Sequence, residues 1–347
     1  MYSRYKITLY SPLLTPLYSD TIFGHVCWGI RYLRGEEFLQ SFLASFEDNE
    51  PPMLISCAFP HGHLPRPVLA PLKRSLLYEL ALEVANRDER LRSKSEKEKL
   101  FWGSQYLKKL RKAKWISLQN WQSLRKSASQ ETFIRLKLEQ FFLKEDKDFN
   151  VKQRKKERVR AHNSISRTSG RVLEPGGLYF VRETWYEKGS CLDVYVKFAN
   201  QDYKALWDQV WQEYIVPTGF GKDKSTGAGQ LTIEEDKEFA AKELFAVETY
   251  NAWMNLSLLG FQNMPKLKTY YTVFTRFGKL GGSFAVSAPD GGKPNPFKKP
   301  IILLEPGAVF ISPSAPKGEL LKQVHVDGRI GHYGLGLSVP LYVAGGE

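Results

Sequence analysis

Cysteine is scarce in this sequence, and long apolar runs are missing. The 347 residues include three cysteines, Cys27, Cys57 and Cys191. Because they are odd in number and far apart, they argue against a disulfide framework and a cysteine zinc site, and they fit a reducing compartment. No apolar run approaches the roughly 20 residues that span a bilayer, and the first residues lack a signal-peptide core. These features predict a cytoplasmic protein without a membrane partner.

The short motifs of several common enzyme classes are also missing. The sequence contains no HExxH, CxxC or nucleophile-elbow motif. The Gly-Lys pair at 221–222 is followed by Asp223, whereas a phosphate-binding Walker loop needs Ser or Thr there. His61 and His63 have no third and fourth ligand nearby. We therefore expect neither a metal nor a cofactor.

Negative charge is under-represented. Lys and Arg number 50 against 37 Asp and Glu, a formal net charge of +13. Such an excess suggests a polyanionic partner, most often nucleic acid and sometimes an anionic membrane, although simple solubility is the alternative. The cations concentrate at 108–114 and 152–171. The second run has no apolar stripe, so we expect it to be mobile until a polyanion orders it.

Apolar periodicity predicts an α+β fold. Arg4–Tyr10 and Leu192–Phe198 alternate like half-buried strands, and residues 22–33 repeat at helical spacing. Leu178–Tyr186 is a further β-rich run, and the EKGS sequence after it predicts a hairpin with Leu192–Phe198. Helices between antiparallel-type strands suggest a ferredoxin-like sheet.

Composition divides the chain into two domains. We expect an N-terminal domain at 1–236, with a helical insertion at about 75–145 and a basic segment at about 147–175. The insertion is charged, poor in glycine and free of proline. A mainly β domain follows at 244–347, where Gly and Pro punctuate apolar runs.

The segment VPTGFGKDKSTGAGQLTI, at 216–233, is the strongest local candidate for a site. It follows a predicted helix and precedes a predicted strand, the reverse of the dinucleotide-binding order. Consecutive backbone amides in turns form concave anion sites, so a phosphate is the expected ligand, with a plain glycine-rich turn as the alternative. The candidate RNA-binding residues here are Gly219, Phe220, Gly221, Lys222, Lys224, Ser225, Thr226 and Gly227.

Several stretches in order resemble the RAMP superfamily of CRISPR proteins. They include SDTIFGHVCWGIRYL at 19–33, VRAHNSISRTSGRV at 159–172, the glycine loop, and GHYGLGLSVPL at 331–341. Together they look like the foot subunit of type III-A (Csm) effector complexes. The helical region 75–145 resembles the family least, and GKDKSTGAGQ departs slightly from the family's usual loop sequence.

The resemblance implies two ferredoxin-like or RRM-like domains in tandem, with the helical insertion and a β-hairpin thumb. It implies a subunit that grips the 5′ repeat-derived handle of the CRISPR guide RNA (crRNA). Its partners would be the large polymerase-like subunit, the backbone RAMP subunit, and target RNA in the assembled complex. Further RNA-binding residues implied in this way are Ser19, Thr21, Arg160, His162, Asn163, Ser164, Ser166, Arg167 and Arg171. Arg can stack on splayed bases, while Asn and Ser can read base edges or the 2′-OH.

The resemblance also raises the question of catalysis, because the superfamily includes metal-independent endoribonucleases that process the guide precursor. Such enzymes need a general base and acid, commonly His. His25 in the first predicted helix is the best placed, and His162 lies in the basic run. Asp20, Asp223 and Asp327 are isolated acids, without a paired carboxylate at helical spacing. We expect a non-catalytic scaffold in antiviral defence, with a repeat-processing endoribonuclease, or the equivalent subunit of another type III complex, as alternatives.

Overall fold

The computed structural model describes residues 1–47, 50–142, 155–172, 177–261, 267–286 and 295–345. The ends of the expected helical insertion and basic segment, at 143–145, 147–154 and 173–175, lie outside the described residues. The helices are α1 Ser19–Arg34, α2 Glu36–Ala44, α3 Arg74–Arg87, α4 Glu96–Arg111, α5 Leu118–Leu124, α6 Gln130–Phe142, α7 Gln201–Val210, α8 Val216–Thr218 and α9 Ala241–Phe245.

The strands form several small antiparallel sheets, so the predicted α+β class is confirmed. They are β1 Tyr2–Leu9, β2 Met53–Ile55, β3 Phe59–Pro60, β4 His63–Pro65, β5 Trp115–Ser117, β6 Lys155–Asn163, β7 Leu178–Tyr186, β8 Cys191–Phe198, β9 Leu231–Glu235, β10 Ala252–Asn255, β11 Lys268–Tyr270, β12 Val273–Arg276, β13 Ile301–Leu304, β14 Val309–Ile311, β15 Gly318–Leu321, β16 His332–Leu335 and β17 Ser338–Leu341.

The chain divides into two compact units. Unit 1 comprises Met1–Met53 and Lys152–Lys237, and unit 2 comprises Leu54–Val151 and Glu238–Glu347. Within unit 1, β8, β1 and β9 lie side by side and antiparallel, with Ile7 opposite both Leu192 and Ile233. The buried members of the alternating strands, together with α1 and α7, make the core of this unit.

Strand β7 has a different partner from the one expected. It pairs with β6, with Arg158 opposite Glu183 and His162 opposite Tyr179, whereas β8 pairs with β1. The EKGS turn therefore links strands of two different sheets, and the predicted hairpin across it is wrong. The reason is burial: alternate apolar side chains of β8 belong in the core beside β1, whereas most side chains of β7 are exposed.

The basic run contains a strand that its composition did not indicate. Lys155–Asn163 is a regular strand rather than an irregular segment. Its order comes from the backbone ladder with β7, because almost every one of its side chains is exposed. The two strands form a β-hairpin, and a bridge between Ile165 and Val172 lies beyond their ends at its tip.

Unit 2 combines the helical segment with the C-terminal strands. Its main sheet has the order β11-β14-β10-β17. The Arg125 guanidinium donates to the carbonyls of Glu243 and Ala246, and Ala128 bridges to Val343. These bonds explain why the helical segment groups with residues 238–347 and not, as expected from composition, with the N-terminal domain. None of the helices described is long and apolar enough to cross a membrane.

Candidate nucleic-acid interface

The glycine loop of unit 1 runs from the end of α8 to the start of β9. Gly219, Gly221, Gly227 and Gly229 all have φ between 69° and 91°, and Asp223 has φ 58°. A positive φ, which places the backbone in the left-handed region, is energetically costly for residues with a Cβ. This cost explains the glycine content of the loop. The loop is therefore a defined structure and not a flexible connection.

Two glycines of the loop stand in opposite surroundings. A Cβ added to Gly229 would lie 1.9 Å from the carbonyl oxygen of Phe220, whereas one added to Gly227 would meet nothing within 4 Å. Gly229 is buried and Gly227 is exposed. Gly229 thus permits close packing inside the loop, and Gly227 keeps its outer surface open.

Most loop amides are already used within the protein. The amide of Gly221 donates to His25 Nε2 at 2.8 Å, and that of Lys222 donates to Thr15 Oγ1 at 3.0 Å. The amide of Gly229 donates to the Pro12 carbonyl at 2.9 Å. The acceptors come from α1 and from the segment before it, so these three amides are not available to a ligand.

Three consecutive amides remain available at the loop's outer edge. Those of Asp223, Lys224 and Ser225 have no hydrogen-bond acceptor within the described part of the chain. Asp223 is left-handed and the next residues form a 3-10 turn, the kind of backbone turn that makes an anion-binding concavity. The exposed side chains of Ser225 and Thr226 lie on the same turn. This edge can accept a phosphate.

His25 of α1 holds the glycine loop through a hydrogen bond and a ring contact. Its Nδ1 donates to the Thr21 carbonyl at 2.9 Å, and its Nε2 accepts from Gly221, so both ring nitrogens are engaged. The ring stacks on Phe220 with centroids 4.1 Å apart. Burial, with a contribution from the Lys224 charge, lowers the pKa of His25 to about 4. A neutral imidazole whose acceptor nitrogen is occupied has no lone pair free to act as a general base.

Aromatic rings and a cation flank the loop on the side of α1 and of the segment between α7 and α8. Lys224 Nζ lies 4.9 Å from the ring centroid of Tyr214, and Tyr214 stacks on Tyr32 at 5.3 Å. Tyr32 in turn stacks on Trp28 at 5.8 Å, and its side chain is 64% exposed. Burial lowers the pKa of Lys224, which also donates to Thr218 Oγ1. The row offers ring faces for base stacking.

A second stack connects the loop to the β6–β7 hairpin. Lys222 Nζ lies 5.7 Å from the ring centroid of Tyr179, and Tyr179 stacks on His162 at 5.4 Å. His162 Nε2 is shielded from solvent and has no hydrogen-bond partner among the described residues.

One face of the hairpin carries its cations. Side chains alternate between the faces of a strand, so Lys156, Arg158, Arg160 and His162 share a face. Trp185 lies opposite Lys156 on that face. Glu183, which is buried, lies 3.5 Å from Arg160 and accepts from Trp185 Nε1 at 3.0 Å. Arg160 is two-thirds exposed and can still reach a phosphate.

The predicted residues at the hairpin tip lie together. The amide of Ser164 donates to Gly177, and that of Ser166 donates to the Arg171 carbonyl, which closes the turn. Asn163, Arg167 and Arg171 are exposed. The tip therefore presents the polar and cationic side chains that the sequence placed in one segment.

Three other residues that were predicted to bind RNA are buried or form hydrogen bonds within the chain. Ser19 and Phe220 are fully buried. The Thr21 hydroxyl donates to the carbonyls of Pro16 and Tyr18 and accepts from the Tyr18 amide, so it fixes the start of α1. None of these three residues therefore presents an exposed side chain for direct contact with RNA.

The stacking residues Trp28, Tyr32, Tyr179 and Tyr214 were not among those predicted from the sequence to bind RNA. The i, i+4 spacing of Trp28 and Tyr32 on a predicted helix was a signal that they share a face. Tyr214 and Tyr179 come from distant segments, and no local pattern joins them to the loop. Among the described residues, no group of three or more His, Cys, Asp and Glu side chains is placed to hold a metal ion.

Comparisons with known proteins agree with this architecture. The RAMP superfamily model matches residues 13–232. A chain in the crystal structure of a Csm3-Csm4 subcomplex of the type III-A CRISPR-Cas interference complex aligns with a TM-score of 0.56 and 12% identity, covering 97% of this chain and 99% of that one. A chain of the Csm1-Csm4 cassette in complex with cA4 aligns with a TM-score of 0.50 and 14% identity, covering 99% of both. No curated protein sequence matches the chain.

The family match spans more than half of the chain, from the segment before α1 through the glycine loop into β9. The chain belongs to the RAMP superfamily, as the sequence motifs predicted. Its fold is also found in chains of type III-A CRISPR assemblies, at a low level of sequence identity.

Proposed function

We propose that this chain is a non-catalytic RNA-binding subunit of a type III CRISPR effector complex, and that it grips the 5′ handle of the guide RNA. The observation that carries the proposal is the exposed edge Lys222–Gly227 of the glycine loop, set between two stacks of rings and cations in a RAMP-superfamily chain. Phosphate and base contacts are available within a few residues of each other, which suits a single-stranded RNA.

The roles divide between charge and stacking. The free amides of Asp223, Lys224 and Ser225 receive a phosphate, and the lysine side chains neutralise its charge. Tyr32 on one side and Tyr179 on the other receive bases. Arg160, Arg167 and Arg171 on the hairpin continue the phosphate path. His25 holds the loop and takes no part in chemistry.

Further features follow from the type III-A resemblance. Unit 1, with β1–α1 and β8–α7–β9 around one sheet, supports a ferredoxin-like domain, and we propose that a degenerate second one follows in tandem in the C-terminal part of the chain. We propose that the β6–β7 hairpin is the thumb that folds over the guide–target duplex. The subunit would join the large polymerase-like subunit to the backbone RAMP filament, as suggested by solved assemblies named for Csm1-Csm4 and Csm3-Csm4.

The first test is the salt dependence of binding to a guide RNA that carries the 5′ handle. If about six phosphates are neutralised, log affinity against log salt has a slope near ~−4, at ~−0.7 per phosphate of a single strand. The double variant Lys222→Ala/Lys224→Ala should bind at least about tenfold more weakly, with a slope shallower by ~1.4.

The matched control for this experiment is Lys237→Ala, an exposed lysine two residues after the end of β9. It should bind RNA as the wild type does. A flat salt profile, or equal losses in the control and the loop variant, would contradict a loop-centred electrostatic site.

The isolated chain should not cleave RNA. A CRISPR repeat RNA, incubated with the protein with and without Mg²⁺, should remain intact on a denaturing gel, because both nitrogens of His25 are engaged in the fold. Cleavage that disappears in a His25→Ala variant which still folds would favour the endoribonuclease alternative instead.

A further inference from the structure

Helix α4 of unit 2 is held rigidly against α3. Ser95 and Glu98 form a capping box at its start. A Cβ added to Gly103 would lie 1.9 Å from the Ala81 carbonyl oxygen, so the two helices approach as closely as backbones allow. Tyr106 donates to Asp88 and accepts from Arg90. The outward face of α4 is therefore a fixed surface.

Positive charge accumulates near the end of α4, and no ion pair among the described residues compensates it. From Lys99 to Gln130 the sequence contains no Asp or Glu. The cations near the end of α4 are Lys108, Lys109, Arg111, Lys112 and Lys114, and none of them takes part in an ion pair among the described residues. Cations at a helix C-terminus favour the helix dipole by ~0.3–1 kcal/mol each, but the effect falls off within the last turn and does not explain five of them.

The local charge also acts on a neighbouring side chain. Arg66 donates to the Arg111 carbonyl, and its guanidinium lies 4.4 Å from the ring centroid of Phe133. Burial, followed by the Arg111 charge, lowers the pKa of Arg66 to about 10. This arrangement adds a sixth cationic side chain to the cluster and leaves it without a carboxylate partner in the described part of the chain.

Two aromatic side chains stand on the same helix, towards its start. Phe101 is 58% exposed and Trp102 is 48% exposed, with their rings edge to face at 5.5 Å. Residues three and four apart share a helix face, so Phe101 is in line with Gln105, Lys108 and Lys112. At 1.5 Å per residue, this line runs for about 16 Å.

We infer that the outward face of α4 is a second nucleic-acid surface, which binds single-stranded RNA without sequence preference. Base stacking on Phe101 and Trp102, together with phosphate contacts from the lysines and Arg111, is the combination that non-specific single-strand binding uses. The surface lies in unit 2, apart in sequence from the glycine loop and the hairpin, and it goes beyond handle binding.

A membrane surface fits this face less well. An interfacial helix buries a continuous apolar face and keeps cations along its polar side. In α4 the apolar positions Gly103, Leu107 and Leu110 are buried within the protein, and the exposed line passes from an aromatic residue to cations along its length. The cations favour a polyanionic ligand, and the exposed rings favour a ligand with flat groups that can stack on them, such as bases.

The test is photo-cross-linking of the full chain to a 4-thiouridine-containing (U)15 RNA that lacks any handle sequence, followed by peptide mapping. We expect cross-links in the peptides around Phe101 and Trp102. In anisotropy titrations with the same RNA, Phe101→Ala/Trp102→Ala should weaken binding at least about fivefold, the lower end of a ~1–3 kcal/mol stacking loss. Lys108→Glu/Lys112→Glu should make the salt slope shallower by ~1.4.

The controls are Lys317→Glu, an exposed lysine outside α4, and Phe277→Ala, an exposed aromatic outside the surface. Both should leave the affinity and the α4 cross-links unchanged. Cross-links confined to the hairpin and glycine loop would overturn this inference while leaving handle binding intact. Binding of phosphatidylserine vesicles, but not of (U)15, through Phe101 and Trp102 would overturn it in favour of a membrane. Loss of handle binding in the glycine-loop variants tests the proposed function, and it neither supports nor contradicts an RNA-binding surface on α4.

Discussion

Gly229→Val should destabilise unit 1 by about 2–5 kcal/mol and abolish binding of handle RNA. Gly229 has φ 69°, and its added Cβ would lie 1.9 Å from the Phe220 carbonyl oxygen and 2.8 Å from the carbonyl carbon. Overpacking costs about 1–3 kcal/mol, and left-handed backbone adds about 1–2 kcal/mol for a residue with a Cβ. Urea denaturation measures the first effect, and RNA titration measures the second.

Gly227→Val is the matched control for this prediction. It carries the same left-handed penalty, but its side chain points into open space. The fold should therefore survive with a loss of about 1–2 kcal/mol, while RNA affinity falls because the outer edge of the loop is obstructed. A Gly229→Val protein that unfolds at the wild-type urea concentration would show that the loop is not packed as described. Wild-type affinity in Gly227→Val would reduce the loop to a turn.

Acid should destabilise the protein through His25 before most carboxylates protonate. The folded pKa of about 4 lies below the ordinary value of 6.5, so the imidazole is neutral in the fold and protonates more readily when unfolded. Stability from this group is complete above about pH 6.5 and is lost as the pH falls towards 4. The difference corresponds to about 3 kcal/mol. Thermal or urea unfolding between pH 7 and pH 4 measures it.

His25→Gln separates this effect from other acid titrations. Glutamine does not titrate, and its carbonyl oxygen can accept a hydrogen bond. The stability of the variant should change less between pH 6.5 and pH 4 than that of the wild type. The carboxyls of Asp88 and Asp327, held at a pKa of about 2 by Arg90 and Arg329, lose their contribution only below that window. Parallel pH profiles for both proteins would contradict a buried neutral His25.

Local patterns predicted the strands of unit 1 better than their pairing. Alternation placed β1 and β8, and β-rich composition placed the bounds of β7. The hairpin was assigned across the EKGS turn because that turn joins β7 to β8 in sequence. The actual partner, β6, was missed because its cations lack an apolar stripe. Backbone hydrogen bonds hold that strand, and composition does not report them.

Long-range contacts also determine which backbone amides of the glycine loop have an acceptor within the protein. The position of the glycine loop between a helix and a strand was predicted from the sequence. The acceptors for the amides of Gly221, Lys222 and Gly229 come from residues about 200 positions earlier. In the same way, the bonds from Arg125 to residues more than 100 positions later place the helical segment in unit 2. Spacing within a window cannot show such contacts.

Handle recognition by the glycine loop is tested most directly by photo-cross-linking of the chain to its guide RNA in the assembled complex, followed by sequencing of the RNA attached to each peptide. We predict that the peptides containing Lys222–Gly227 and Tyr179 carry the 5′ repeat-derived end of the guide. Cross-links of these peptides to other regions of the RNA, or handle cross-links that map only to other subunits, would contradict the account.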